Sequence, residues 1–294
     1  MTRRIMAKKL LSYGAFLFFC LVAFAYLLFP GEKAAGYLEA LVAARGPDYR
    51  LSVEKVSPRP PFGFSLKNPE IFSGGEIVFS SKSVAVRPGF FSMLAKRPKS
   101  RISTQAYGGQ IKARIEVLGH EQEGSVKTLV VAEGLDLEKV PFLTRLTDRA
   151  ATGSLNARID FAGEPKQWTT GRGEGELTLT NGRIQFFAEV LGLDALTVDQ
   201  LLAKLSLQDS VLEITRGEMT SREASGVLTG KVHLAPVFSQ SRLNLSGTIR
   251  PTPALFSRIG PNSPVAAFLR GRMQNGEIKV NITGTVDNSR IVLG

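Results

Sequence analysis

The sequence predicts a mostly β protein, in which an N-terminal transmembrane helix precedes a curved, largely antiparallel β-sheet with a few short helices. Leu10 to Phe29 is a run of about twenty residues without a charge, long enough to cross a bilayer as a helix. From Tyr49 onward, apolar and polar residues alternate with a period of two, which is typical of strands with one buried side. Glycine accounts for 29 of the 294 residues and clusters at the ends of these segments, where turns are expected.

The charges around the apolar run predict its orientation. Four basic residues precede it, and positive charge stays on the cytoplasmic side of a membrane: Arg3, Arg4, Lys8 and Lys9. We therefore expect a cytoplasmic tail over residues 1–9, an anchor over residues 10–29 in the bacterial inner membrane, and a periplasmic β-rich domain over residues 30–294. A cleaved signal peptide is the alternative, because Ala23-Phe24-Ala25 looks like a cleavage box. The apolar run continues past that box, which favours a retained anchor.

Composition narrows the classes of function. With 37 Lys and Arg against 26 Asp and Glu, the net charge is +11, which favours anionic partners such as phospholipid or lipopolysaccharide. Without the four N-terminal basic residues, the excess of positive over negative charge is too moderate to indicate nucleic-acid binding. The lone Cys20 excludes an intramolecular disulfide, and His120 and His233 stand without metal-ligand spacing. No catalytic or phosphate-binding motif occurs. We expect a non-enzymatic protein without a metal or cofactor.

The first elements after the anchor are a helix and a series of strands. Gly36 to Arg45 predicts a short helix. Further along the chain, the sequence predicts two hairpins and the pairing of their strands. Asn181-Gly182 is a strong two-residue turn signal that would pair Leu179 with Ile184 and Leu177 with Phe186. A second turn at Asp209-Ser210 would pair Leu207 with Leu212 and Leu205 with Ile214.

Three further short helices are expected. Thr197 to Gln200 reads as a capping box and predicts a helix through about Ala203. Ser263 as N-cap, Pro264 in the first turn and Gly271 after the last turn predict another helix. Thr252 to Ile259 predicts a third. So few helices cannot cover so many one-sided strands.

The apolar side of the strands must therefore be closed in another way. The phrases LNLSGTI, from Leu243, and VNITGTV, from Val280, repeat one strand pattern. Either two sheets pack as a sandwich, or one sheet curls so that its apolar face lines a groove for lipid. The residues expected on that face, as lining of the groove or as ordinary core, are Leu177, Leu179, Leu243, Leu245, Ile249, Val280, Ile282 and Val286.

A basic cluster is the second candidate site. Lys96, Arg97, Lys99 and Arg101 form the densest group of positive charges beyond the N-terminus. Such a cluster can contact the anionic head group of a lipid, or it can be a solvated loop.

Three segments carry a resemblance to a known family. SVAVRPGFFSMLAKRPKSRISTQAYGGQI and LLAKLSLQDSVLEITRGEMTSREASGVLTGKVHL resemble the repeats of AsmA-like proteins. SPVAAFLRGRMQNGEIKVNITGTVDNSRIVL resembles the end of the type II secretion system protein N family, GspN, which is AsmA-related. One local departure is Ser210, which stands where the pattern leads us to expect a turn glycine.

The resemblance implies a place in the cell envelope and no catalytic residues. AsmA-like proteins are linked to lipid transport and envelope homeostasis, and GspN is named for an accessory place in type II secretion. The resemblance therefore implies an accessory component of secretion or envelope assembly that acts by binding or as a scaffold. Secretion-system proteins would be among its partners. A lipid carrier with an apolar β-groove is the alternative. A third hypothesis is a structural contact to a pseudopilus or secretin without any ligand.

Overall fold

The structure is a computed structural model that describes most of the chain. The described residues are 13–44 without 15, 18, 22 and 25, then 49–60, 62–89, 92, 98–118, 124–140, 151–190 and 193–294. Seventeen strands, β1 to β17, and three α-helices, α1 to α3, have described bounds. The mostly β prediction is confirmed.

The strands follow one another with short connections. Their bounds are β1 Tyr49–Ser52, β2 Lys55–Arg59, β3 Gly63–Lys67, β4 Glu70–Ser73, β5 Glu76–Ser80, β6 Ser83–Pro88, β7 Lys99–Ala106, β8 Gly109–Val117, β9 Val126–Asp136, β10 Ala151–Gly163, β11 Arg172–Val190, β12 Leu193–Gln208, β13 Val211–Thr220, β14 Ala224–His233, β15 Arg242–Pro251, β16 Ile278–Thr285 and β17 Ser289–Leu293. The helices are α1 Gly31–Ala43, α2 Pro253–Ile259 and α3 Pro264–Arg272.

One long antiparallel sheet dominates the fold. It contains fourteen strands in the order β17 to β6 and then β3 and β2, so that every strand from β6 onward pairs with the next along the chain. Such a meander follows from hairpin-like connections between strands of alternating pattern. A second sheet of three strands has the order β1-β4-β5. Among the described residues, the sandwich of two comparable sheets is not formed.

The N-terminal region is helical wherever it is described between residues 13 and 27. Within the described residues, no helix combines the length and the apolar character needed to cross a membrane. The expected anchor, residues 10–29, lies partly outside the described residues and stays a prediction. Helix α1 begins at Gly31, five residues before the start that the sequence predicted, and ends at Ala43.

The Asp209-Ser210 hairpin is confirmed with the predicted register. Leu205 pairs with Ile214 and Leu207 with Leu212. Both turn residues have positive φ, 49° for Asp209 and 64° for Ser210, as a type I′ turn requires. The turn therefore forms with Ser210 in place of the expected glycine.

The prediction of a hairpin at Asn181-Gly182 is wrong. Both residues lie inside the single long strand β11, and Leu179 pairs with Leu155 of β10 and Leu201 of β12. Asn181 alone of the pair has positive φ, at 51°, so it forms a bulge, with one extra residue relative to β10, and no type I′ turn. The apolar alternation on both sides of the pair finds partners in the neighbouring strands and outweighs the local turn signal.

The predicted helix at Thr197 to Gln200 is also wrong. This segment belongs to β12, in which Thr197 pairs with Arg183 and Gln200 with Thr180 of β11. Apolar residues at 201, 203, 205 and 207 follow with a period of two. Pairing with strands on both sides also satisfies the backbone N–H groups that a capping box would have bonded.

The two C-terminal helices are confirmed, with one boundary changed. In α3 the hydroxyl of Ser263 accepts a hydrogen bond from the backbone N–H of Ala266, as an N-cap does. Gly271 lies inside the helix and does not follow it. The helix extends to Arg272, and the N–H of Met273 still donates to the carbonyls of Leu269 and Arg270.

Two small cores close the ends of the long sheet. Helix α1 packs Ala35 against Val53 and Val56 at the β2 edge. Near the other edge, α2 and α3 pack Leu255 and Leu269 against Ile278 of β16. Helix α2 is also held by an ion pair of 3.0 Å between Arg258 and Glu223, whose side chain is 10% exposed. Both ends of the sheet are thus capped on one face.

Glycine in the repeated phrase has a steric reason. A Cβ on Gly247 would clash with the backbone carbonyl oxygen of Val227 in the neighbouring strand, and one on Gly284 would clash with that of Asn288. Gly284 also has a φ of 103°. The phrase repeats because two strands approach backbone atoms too closely for a side chain.

We expect Gly247→Ala to lower the free energy of unfolding by roughly 1–3 kcal/mol, since backbone on a central strand must shift to accept the methyl group. Gly271→Ala is the matched control. Nothing lies within 4 Å of its Cβ position in α3, and alanine there should stabilise by up to about 1 kcal/mol. Urea denaturation of both variants measures the difference. Equal effects would show that the space at Gly247 does not limit the fold.

Candidate functional site

The candidate site is one face of the long sheet. Side chains of a strand alternate between the two faces, and residues paired across strands share a face. The register can therefore be followed from β2 to β17, one residue per strand. Two such rows on the same face define what we call the apolar face, and the opposite side is the polar face.

The first row is apolar in every strand except one. It runs through Val56, Leu66, Val84, Thr104, Ile111, Ala132, Ala157, Leu177, Ala203, Gly217, Leu228, Gly247, Val280 and Leu293. The polar member, Thr104, is 7% exposed. Its hydroxyl donates to the carbonyl of Ser83 at 2.8 Å and lies 2.6 Å from the hydroxyl of Ser81, so its polarity is satisfied within the protein.

The second row contains no polar side chain in any of the fourteen strands. It runs through Pro58, Phe64, Val86, Ile102, Ala113, Val130, Ile159, Gly175, Leu205, Ile214, Gly230, Leu245, Ile282 and Ile291. With neighbouring strands about 4.8 Å apart, each row follows the sheet for about 60 Å.

The polar face has the opposite character. The row that lies between the two apolar rows but points the other way runs through Ser103, Lys112, Val131, Arg158, Glu176 and Lys204, and Val131 is the one apolar side chain among these six. Cross-strand ion pairs join some of these residues, for example Lys112 to Glu133 at 3.4 Å and Lys204 to Glu176 at 3.7 Å. Solvent therefore faces this side.

Among the described residues, helices cover the two ends of the apolar face. Helix α1 covers Val56 and Leu66, and the α2–α3 pair covers Ile278 and Leu293. Among the described residues, no α-helix and no second sheet packs extensively on strands β8 to β14. Exposure along the middle of the face is uneven, since Ile159 is 42% exposed whereas Ala132 and Leu179 are buried.

A cavity of about 380 Å³ lies on the apolar face. Residues of five strands, β12 to β16, line it, so the sheet is concave there. Small residues at Ala203, Gly217 and Gly226 make the hollow, and Met219 and Ile249 stand beside them. The volume is within the range of about 300–1,000 Å³ that is usual for ligand pockets.

The structure brings most of the expected apolar residues together. Leu177, Leu179, Leu243, Leu245, Ile249, Val280 and Ile282 all lie on the apolar face by register. Ile249, Val280 and Ile282 also line the cavity. Val286 is the exception because β16 ends at Thr285, and its N–H donates to the carbonyl of Ser241 at 3.0 Å.

The apolar face begins beside the hydrophobic N-terminal segment. The ring of Phe29 lies 6.1 Å from that of Phe64, which belongs to the second apolar row and is 39% exposed. Several large apolar side chains described in residues 13–28, among them Phe16, Phe24 and Leu27, are more than 60% exposed. Apolar surface is therefore continuous from this segment to the first strands of the sheet.

The basic cluster is described in part. Lys96 and Arg97 lie outside the described residues, whereas Lys99 and Arg101 belong to β7 and point to the polar face. Lys99 pairs with Glu116 of β8 at 3.1 Å. Sequence reasoning missed two arginines that the register places beside Arg101, namely Arg87 of β6 and Arg114 of β8.

The chemistry of the described titratable groups is that of surface salt bridges. The pKa of the Asp136 carboxyl is lowered by a hydrogen bond from the ammonium of Lys139, and the pKa of Glu218 is lowered by the guanidinium of Arg216. Among the described residues, no group of His, Cys, Asp and Glu could hold a metal ion. His233 is exposed at the end of β14, and His120 lies outside the described residues.

No family model, curated protein or solved structure matches this chain. The resemblance to the AsmA-like and GspN families stays a prediction from the sequence.

Proposed function

We propose that this protein is a non-enzymatic lipid-binding protein that holds the acyl chains of phospholipids on its apolar face. The observation that carries the proposal is the second apolar row, which crosses fourteen paired strands without a polar side chain. A surface that offers no hydrogen-bond partner along its length suits a ligand that has none, and an acyl chain is such a ligand.

The size and exposure of the face support a ligand over a simple core. Monomeric proteins rarely expose contiguous apolar patches larger than a few hundred Å². Two rows about 60 Å long exceed that size unless something covers them. The described helices cover the two ends, and the cavity over β12 to β16 opens on the part between them. Lipid chains on this part would exclude water from it.

We infer that the protein is anchored in the inner membrane with its β-rich domain in the periplasm. The four positive charges before residue 10 support this orientation. The contact of Phe29 with Phe64 would then place the start of the apolar face at the membrane surface. A lipid could pass from the bilayer onto the sheet without crossing a polar surface.

The topology has a direct test. A reporter that is active only in the cytoplasm, fused after Gly294, should give no signal, and one fused before Met1 should be active, since the positive-inside rule keeps residues 1–9 in the cytoplasm. Activity of the C-terminal fusion would contradict the inferred orientation.

Lipid binding fits the accessory place in envelope assembly that the sequence resemblance implies. An accessory place in type II secretion, with the sheet as a scaffold, makes no use of an open apolar face. Native mass spectrometry of the full chain released from mild detergent separates the two functions. We expect masses above that of the bare chain by one or more phospholipids, whereas a lipopolysaccharide increment would identify a different lipid. The bare chain alone would contradict lipid binding.

A further inference from the structure

Three arginines stand side by side on the polar face. Arg87 of β6 pairs with Arg101 of β7, and Arg101 pairs with Arg114 of β8. They lie 14 and 13 residues apart in sequence, and the strand register brings them into one row, which we call the arginine row.

Such a row is unfavourable on its own. Like charges directly opposite each other on neighbouring strands destabilise a sheet. Among the described residues, none of the three arginines forms an ion pair. The carboxylates that line the same cavity are Glu116, which is paired with Lys99 at 3.1 Å, and Asp160 of β10. The protein keeps an arrangement that costs stability, which is typical of a binding site.

The surroundings of the row add positive charge and shape. A cavity of about 680 Å³ is lined by all three arginines together with Lys99, Lys127, Glu116 and Asp160, so five cations face two carboxylates. A second cavity of about 400 Å³ shares the three arginines and adds Lys112. Ser92 also lines the larger cavity, and its hydroxyl accepts a hydrogen bond from the N–H of Lys99 at 2.9 Å and donates one to the carbonyl of Gly89 at 2.6 Å.

We propose that the arginine row is a binding site for phosphate-bearing anions. A guanidinium presents paired N–H donors that match two oxygens of one phosphate, and neighbouring arginines can share a phosphate or hold two. An anion there would also remove the repulsion within the row. The row lies on the face opposite the two apolar rows, so this site is independent of acyl-chain binding. The phosphate could belong to an anionic lipid head group or to a soluble ligand.

The test uses the full chain in non-ionic detergent and two variants. Arg101→Gln removes the centre of the row. Arg158→Gln removes the same charge from the same face of β10, where Arg158 lies between Val131 and Glu176, outside the row. One titration uses sodium pyrophosphate at constant ionic strength, and the other uses short-chain phosphatidylglycerol with short-chain phosphatidylcholine as its neutral counterpart. Binding and melting temperature are measured for each.

We expect the wild type and Arg158→Gln to bind at least one of the two anions, with a rise in melting temperature. Arg101→Gln should bind roughly tenfold more weakly, the loss expected for one charge-assisted contact. Without any anion, Arg101→Gln should melt at or above the temperature of the wild type, because repulsion is relieved. Binding of pyrophosphate identifies a soluble source, and binding of phosphatidylglycerol alone identifies a lipid head group.

Three results would overturn the site. The first is no binding in either titration. The second is equal weakening by Arg101→Gln and Arg158→Gln, which would indicate general attraction by net charge. The third is a lower melting temperature for Arg101→Gln without anion, which would show that the row supports the fold.

Discussion

Replacement of Leu179 by aspartate should unfold the long sheet. Leu179 is 6% exposed and lies between Leu155 and Leu201 in β11, near the middle of the fourteen strands. Loss of a buried leucine removes roughly 1.5–3 kcal/mol, and an unpaired buried carboxylate adds several kcal/mol of penalty. The sum approaches the whole stability of a typical domain, about 5–15 kcal/mol. Far-ultraviolet circular dichroism and urea denaturation should show the loss of the folded state.

Thr178→Asp is the control for this prediction. Thr178 is the preceding residue of β11 and points to the polar face, between Asn156 and Leu202. The new carboxylate can stay hydrated there, so the midpoint of denaturation should change little. Similar losses for the two variants would mean that the two faces do not differ in burial and that the register of β11 is not as described.

Local signals in the sequence predicted local structure where nothing longer competed with them. The Asp209-Ser210 turn and the Ser263 N-cap are both formed as expected. The failures share one cause. Asn181-Gly182 and the capping box at Thr197 are equally good local signals, but they lie within two apolar strands that pair with each other. Pairing between strands of 19 and 16 residues outweighs a turn or a cap.

The sites divide in the same way. Alternation alone assigned Leu245 and Ile282 to one face, because the parity of a strand is local. Only the register of β15 and β16 shows that these two residues are paired with each other. The arginine row could not be predicted, since Arg87 and Arg114 become neighbours of Arg101 only through pairing across strands. Alternation also does not reveal whether another element covers an apolar face. The sequence therefore left both a sandwich of two sheets and a groove for lipid open.

Ile282→Glu addresses that choice directly. Ile282 is half-buried, lies in the second apolar row between Leu245 and Ile291, and lines the cavity. If acyl chains cover this face, a carboxylate at the half-buried Ile282, unlike one at the buried Leu179, can meet water once lipid leaves, so the fold survives and lipid is lost. Thr283→Glu is the matched control. It adds the same group one residue further on, on the polar face beside Arg290.

The most direct measurement determines bound phospholipid and melting temperature together on the full-length wild type, Ile282→Glu and Thr283→Glu, purified in the same mild detergent. We expect phospholipid on the wild type and on Thr283→Glu, and a loss of most of it from Ile282→Glu with nearly the same melting temperature. A wild type without lipid, joined to a large fall in the melting temperature of Ile282→Glu, would contradict lipid binding and leave a closed scaffold.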